Sequence, residues 1–152
     1  MLLAKNRKAY YEYEILEKYL AGIILKGYEV KAIRERNVNL EGSYIKVEDN
    51  EVFVENMHIG KYSKKSQKHV VEDSRKSRKL LLTEKEIHDL KRQLNEKSQT
   101  AVPLALVLRN NMVKLEFAVV RGRKKHKKKE YLKRKQMKED LRKRTKEVRR
   151  SI

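Results

Sequence analysis

The sequence predicts a mostly β protein with flanking helices: a small antiparallel barrel that carries a basic C-terminal tail. Two patterns and one charge break point there. Apolar residues alternate with polar ones over several short runs, the period of half-buried strands. The pairs Asp49-Asn50 and Asn110-Asn111 separate such runs, and both residue types tolerate the positive φ of tight hairpin turns. The charge break lies near residue 120. Residues 121–152 hold 17 Lys/Arg against 4 Asp/Glu, a net +13, whereas residues 1–120 hold 23 against 17, a net +6. A body over 1–120 and a tail over 121–152 are therefore expected.

Taken in order, Tyr11, Tyr13 and Ile15 alternate with Glu12 and Glu14 as a half-buried strand. Residues 21–25 form a short apolar run that reads as a second strand. Residues 27–36 read as a short helix, with Val30 and Ile33 on one face. Residues 43–47 and 51–59 flank Asp49-Asn50 as a hairpin. The stretch 61–79, with eight Lys/Arg, reads as an exposed loop. Thr83 and Glu86 then make a capping box, in which hydroxyl and carboxylate satisfy orphan amides at a helix start. Ile87, Leu90 and Leu94 supply the apolar stripe of that helix, which ends near Lys97. Leu104, Leu106 and Leu108 alternate before Asn110-Asn111, and Val113, Leu115, Phe117 and Val119 alternate after it. About six strands and two helices follow, enough for a small barrel or strongly curled sheet.

In the tail, Met137, Leu141, Val148 and Ile152 share one narrow helical face. That face is too thin to dock a helix on a core, and crowded positive charge opposes folding. The tail is expected to be disordered when free and helical when bound to a polyanion.

Composition narrows the function. Of 152 residues, 40 are Lys or Arg and 21 Asp or Glu, a formal net charge of +19, which calls for a polyanionic partner. Cysteine is absent, so no disulfide framework, thiolate metal site or thiol nucleophile is available. His58, His69, His88 and His126 stand in no metal-binding spacing, and neither a phosphate-cradling glycine loop nor a nucleophile turn occurs. No catalytic residue, cofactor or metal is expected. No apolar run approaches the roughly 20 residues that span a bilayer, and the N-terminal segment lacks the apolar core of a secretory signal. A cytoplasmic, monomeric protein with no membrane partner is the expectation. The tail's thin apolar face also lacks the Trp, Phe and Leu of interfacial helices. Nucleic acid remains. A barrel platform with eight tyrosines and two phenylalanines able to stack on unpaired bases favours RNA. A ribosomal or RNA-chaperone protein using its basic surface for rRNA is the alternative within that class.

Separated motifs make the reading specific. Asn6-Arg7-Lys8-Ala9 opens the body, and Ala21-Gly22-Ile23 leads to Gly27-Tyr28-Glu29-Val30-Lys31-Ala32-Ile33-Arg34. Asn39-Leu40, Ser43-Tyr44 and Asn56-Met57-His58-Ile59 follow, then Arg75 and Arg78-Lys79-Leu80-Leu81-Leu82. Val102-Pro103-Leu104 and Gly122-Arg123-Lys124-Lys125-His126 complete the series. In this order and spacing the chain resembles the SsrA-binding proteins, the small protein B family, from about Asn6 to Arg134.

The resemblance implies an OB-like barrel and a non-catalytic adaptor of trans-translation, the rescue of ribosomes stalled without a stop codon. It implies binding to the tRNA-like domain of transfer-messenger RNA and delivery to the ribosome. Alanyl-tRNA synthetase and elongation factor Tu would be reached indirectly, through the RNA. RNA contacts carry over onto Asn6, Arg7, Lys8, Tyr13, Leu81 and Lys114, and the matched basic motifs add Lys31, Arg34, Arg78 and Lys79. Gly122, Arg123, Lys124, Lys125, His126, Lys127, Lys128 and Lys129 would lie at the decoding centre and in the vacant mRNA channel. Two departures stand out. Leu20 replaces a usual Glu that contacts RNA, and Lys127-Lys128-Lys129 replaces a usual Asp-Lys-Arg. Leucine accepts no hydrogen bond, so Leu20 is outside the expected binding set.

Overall fold

Alternating residues build the body, in longer strands than their spacing suggests. The computed structural model describes residues 1–62, 73–122 and 132–142. The chain divides into two units, Met1–Gly122 and Arg123–Ile152. In order, the first holds β1 (Leu2–Lys5), α1 (Arg7–Glu12), β2 (Tyr13–Ile23), α2 (Gly27–Arg34), β3 (Val38–Asn39) and β4 (Tyr44–Glu48). Then come β5 (Glu51–Glu55), β6 (His58–Ile59), β7 (Arg78–Leu81), α3 (Glu84–Leu94), β8 (Gln99–Arg109) and β9 (Met112–Gly122). Seven strands make one sheet in the order β1-β8-β9-β2-β7-β5-β4, with every pairing antiparallel. β3 and β6 form a separate ribbon. Edge strand β4 curls back against β8, so the sheet wraps its core without a closed ring of hydrogen bonds. The expected mostly β, antiparallel body is what forms.

The principal core lies inside the curl. Leu115, Phe117 and Val119 of β9 pack with Leu106, Val52, Val54 and Leu80, and α2 and α3 add Ile33 and Leu90. Tyr19 stacks on Phe117 with ring centroids 5.1 Å apart. Burial and the nearby Glu17 carboxylate hold its phenol above the ordinary value, so it is a neutral core group. A second, smaller core sits on the opposite face of β9, where Ala9 of α1 covers Val102, Leu104, Ala118 and Val120. With both faces covered, residues 117–120 form an unbroken buried run rather than an alternating one.

Both hairpin turns form as their residues require. Asp49 and Asn50 take φ of 47° and 64°, and Asn110 and Asn111 take 50° and 62°. Thr83 caps α3 through the expected box, its Oγ1 accepting from Glu86 N while Glu86 Oε1 accepts from Thr83 N at 3.1 Å.

Other expectations need correction. Tyr11 belongs to α1 rather than to a strand, because Asn6 caps a helical turn before Tyr13. The two strands expected on either side of residue 20 are one, β2. Asn56, at φ 61°, ends β5 and sends His58–Ile59 to the other sheet. α2 stops at Arg34 because Arg36 turns to φ 66°, with Asn37 N donating to Ala32 O at 2.9 Å. Arg78 and Lys79 lie in β7, not in a loop.

In the second unit a helix, α4, covers 132–142, and all its residues are exposed. Met137 and Leu141, on the expected narrow face, are open to solvent. Val148 and Ile152 lie outside the described residues.

Candidate RNA interface

The expected contact residues fall into separate places on the body. The first is a cleft of about 230 Å³ lined by Asn6, Lys8 and Tyr13, with Tyr44 from β4 and Thr100 from β8 also in its lining. Asn6 builds this cleft. Its Oδ1 accepts from Ala9 N at 3.3 Å, starting α1. Its Nδ2 donates to Pro103 O at 2.9 Å, and its backbone N donates to Leu104 O at 2.7 Å. Those carbonyls belong to the bulge between Pro103 and Ala105, where a strand tolerates proline. Only 5% exposed, Asn6 is a structural cap that also lines the cleft. Asn6→Ala should lower stability by about 1–3 kcal/mol, since it removes a helix cap and leaves a buried carbonyl unpaired. Urea unfolding measures this, and an unchanged midpoint would contradict the assignment.

Arg7 and Lys8 are exposed on α1, where Lys8 Nζ lies a loose 3.8 Å from Glu12 Oε1. Tyr13 is half-buried, and its register partner is Gly122. The last strand residue of the body therefore pairs beside the cleft.

The second place is a cross-strand row. Gly22 of β2 pairs with Leu81 of β7 on one side and with Lys114 of β9 on the other. Residues directly opposed in a sheet share a face, so Leu81 and Lys114 flank Gly22. A Cβ at Gly22 would meet Leu81 Cβ at 3.3 Å, so the glycine lets Leu81 lie close over the strand. Leu81 is 53% exposed, unusual for a leucine in a central strand. Leu20 shares the face two residues along, opposite Glu116.

Lys31 and Arg34 are exposed on α2, with Lys31 Nζ 5.2 Å from the centre of the Tyr62 ring. Lys79 Nζ lies 3.4 Å from Glu51 Oε1 at the surface, a weak pair that phosphate could displace. Arg78 differs from all of these. It is 4% exposed; Nε donates to Glu29 Oε2 at 2.6 Å, Nη1 to Met57 O at 2.7 Å and Nη2 to Ser74 O at 3.0 Å. Its guanidinium is enclosed, so within the body Arg78 acts as an internal clamp. Residues Arg123, Lys124, Lys125, His126, Lys127, Lys128 and Lys129 lie outside the described residues. Among the described residues no cluster of His, Asp or Glu could hold a metal, and no helix is long and apolar enough to cross a membrane.

Gly22 and Tyr44 were absent from the expected contacts. The signal for Gly22 was a glycine inside a strand pattern, which marks a close approach of backbone to a neighbour. Tyr44 stood in a matched motif, but only the curl of β4 toward β8 brings it near α1.

A curled antiparallel sheet with exposed cations and tyrosines around a cleft and a cross-strand row defines a small basic barrel protein of the nucleic-acid-binding class. The family model described as SmpB protein matches residues 3–147, and the chain belongs to that family. Among its relatives, the SsrA-binding protein of Persephonella marina is 41% identical over 145 residues, covering 95% of this chain and 94% of its own. That of Thermoanaerobacter pseudethanolicus is 44% identical, covering 96% and 92%. A chain from a solved structure described as "tmRNA-SmpB: a journey to the center of the bacterial ribosome" superposes with a TM-score of 0.69 at 39% identity, over 82% of this chain and 87% of that one.

Proposed function

We propose that this chain is a non-catalytic RNA-binding adaptor of trans-translation. Its body binds the tRNA-like domain of transfer-messenger RNA, and the complex is delivered to stalled ribosomes. The tail over 121–152 then occupies the vacant mRNA channel beyond the decoding centre, with Gly122 and His126 at the decoding centre. Alanyl-tRNA synthetase and elongation factor Tu act on the bound RNA rather than on the protein, and the protein works in the cytoplasm as a monomer.

Membership of the SmpB protein family over nearly the full chain carries the reading, because relatives of this identity are SsrA-binding proteins. The geometry agrees with it. Lys8 at the cleft, the exposed Arg7 on α1, and Lys114 beside Gly22 and Leu81 offer cations to phosphates beside apolar surface for bases or sugars. Lys31, Arg34 and Lys79 extend the positive field over α2 and β7.

Lys114→Ala tests the row directly. It should weaken binding of the tRNA-like domain several-fold and reduce the slope of log K against log salt by about 1. Lys114 is only half-buried, so the fold should be kept. Unchanged affinity and slope would remove the row from the interface.

A further inference from the structure

A recess of about 530 Å³ opens between α2, β6 and the segment that leads into β7. It shares no lining residue with the cleft beside α1 or with the cross-strand row. We propose that this recess binds a free mononucleotide, its phosphate on Lys76 and His58 and its base against Tyr28 and Ile59. The site is separate from the proposed RNA-binding function and does not depend on it.

The volume falls within the roughly 300–1,000 Å³ of small-molecule pockets. Its cations also differ from those that face a polymer. Arg7 and Lys8 on α1, and Lys31 and Arg34 on α2, are exposed. In the recess the Lys76 side chain is 29% exposed and that of Arg78 3%. Exposed cations suit the phosphates of a passing strand, whereas cations set into a recess suit a compact ligand that brings its own phosphate.

The donors fit such a ligand. Arg78 and Glu29 neutralise each other through their 2.6 Å contact. Of the other charged lining residues, Lys61 and Lys76 outweigh Asp73 by one positive charge. Lys76 Nζ lies 3.7 Å from Glu29 Oε1, a long contact that leaves its ammonium able to serve a phosphate oxygen as well. His58 Nδ1 is 3.0 Å from Ser74 Oγ. When Nδ1 accepts from that hydroxyl, the proton sits on Nε2, which is then the donor toward a ligand. Ser74 is thus a positioning residue for His58. Tyr28 and Ile59 add aromatic and apolar surface on which a base can lie.

The walls are fixed in advance. Ile59 N and Arg78 Nη2 both donate to Ser74 O, each at 3.0 Å, and Arg78 Nη1 donates to Met57 O. These bonds tie β6 to the segment before β7. Gly60 N donates to Asn37 O at 2.9 Å, and a Cβ at Gly60 would collide with the Asn37 side chain. A site assembled before its ligand arrives loses little entropy on binding.

Amide NMR spectra of the full chain, titrated at physiological salt with AMP, adenosine or inorganic phosphate, provide the test. AMP should shift the signals of Tyr28, Gly60 and Ser74 saturably. It should bind at least tenfold more tightly than adenosine or phosphate, each of which lacks half of the contacts. Lys76→Met should weaken AMP about tenfold, the scale of one charge-assisted hydrogen bond, and Lys76→Arg should recover most of the loss. Both variants should bind the tRNA-like domain within twofold of wild type, which separates this site from the RNA interface. Should Lys76→Met lower thermal stability, Ser74→Ala, which keeps the backbone carbonyl, reads the same anion contact through His58. Shifts scattered over exposed Lys and Arg, or equal AMP affinity in wild type and Lys76→Met, overturn the site. Equal affinity for AMP and inorganic phosphate overturns the nucleotide and leaves a bare anion site. Displacement of AMP by an equimolar amount of the tRNA-like RNA assigns the recess to RNA and overturns the proposal as well.

Discussion

Arg78→Ala is expected to destabilise the body by about 3–5 kcal/mol, the penalty for stranding the other half of a buried ion pair. Both side chains of the Arg78–Glu29 pair are 3% exposed. The second oxygen, Glu29 Oε1, accepts from Lys26 N at 3.0 Å and so helps to start α2. Through Met57 O and Ser74 O the same guanidinium also ties down the segments before β6 and β7. One side chain therefore joins α2, which displays Lys31 and Arg34, to β7, which displays Lys79 and Leu81. Domains of this size are stable by only about 5–15 kcal/mol, so the loss should be plain in a urea midpoint. Arg78→Lys should recover little, since an ammonium lacks the planar fork that reaches Glu29, Met57, Lys76 and Ser74 at once. The double variant Arg78→Leu with Glu29→Leu should be markedly more stable than Arg78→Ala, because it leaves no buried charge. A midpoint for Arg78→Ala within 1 kcal/mol of wild type would contradict the clamp.

The second large effect lies in the tail. A chain ending at Gly122 should still bind the tRNA-like RNA, yet tagging of nascent peptides on stalled ribosomes should fall to background. The binding half follows from where the core lies. Among the described residues every buried core residue is at or before Val120, within the first unit. Some affinity goes with the 17 Lys/Arg of 121–152, and that part is the one most sensitive to salt. The tagging half follows from the physics of α4. The helix is exposed at every described residue, 132–142, so no apolar burial offsets the repulsion of its crowded Lys/Arg. Its full formation therefore needs a partner that neutralises its charge, as a channel walled with phosphate would. Full-rate tagging by the truncated chain would exclude a role for the tail there.

Much of this was legible in the residues, for local reasons. Asp49-Asn50 and Asn110-Asn111 announce their turns because few other residues accept positive φ in succession. Thr83 and Glu86 announce α3 because the capping box is complete within four positions. The places that misled are those where distant residues decide. Tyr11, Glu12 and Tyr13 alternate like a strand, but Asn6 reaches Pro103, 97 residues away, and sets a helix instead. Arg78 sits in a basic segment and looks solvated, yet its anion is 49 residues distant on α2. The row of Leu81, Gly22 and Lys114 exists only through sheet register, to which no local pattern points. Family resemblance supplied residue names at these positions but could not separate a buried cap or clamp from a surface contact.

The body of this chain is expected to select transfer-messenger RNA over other folded RNAs. Competition binding at physiological salt between its tRNA-like domain and an elongator tRNA of similar length measures it most directly. Residues 1–122 and the full chain should both prefer the transfer-messenger RNA domain by tenfold or more. Equal affinity for the two RNAs in both proteins would contradict it, leaving only a basic surface that holds any folded RNA.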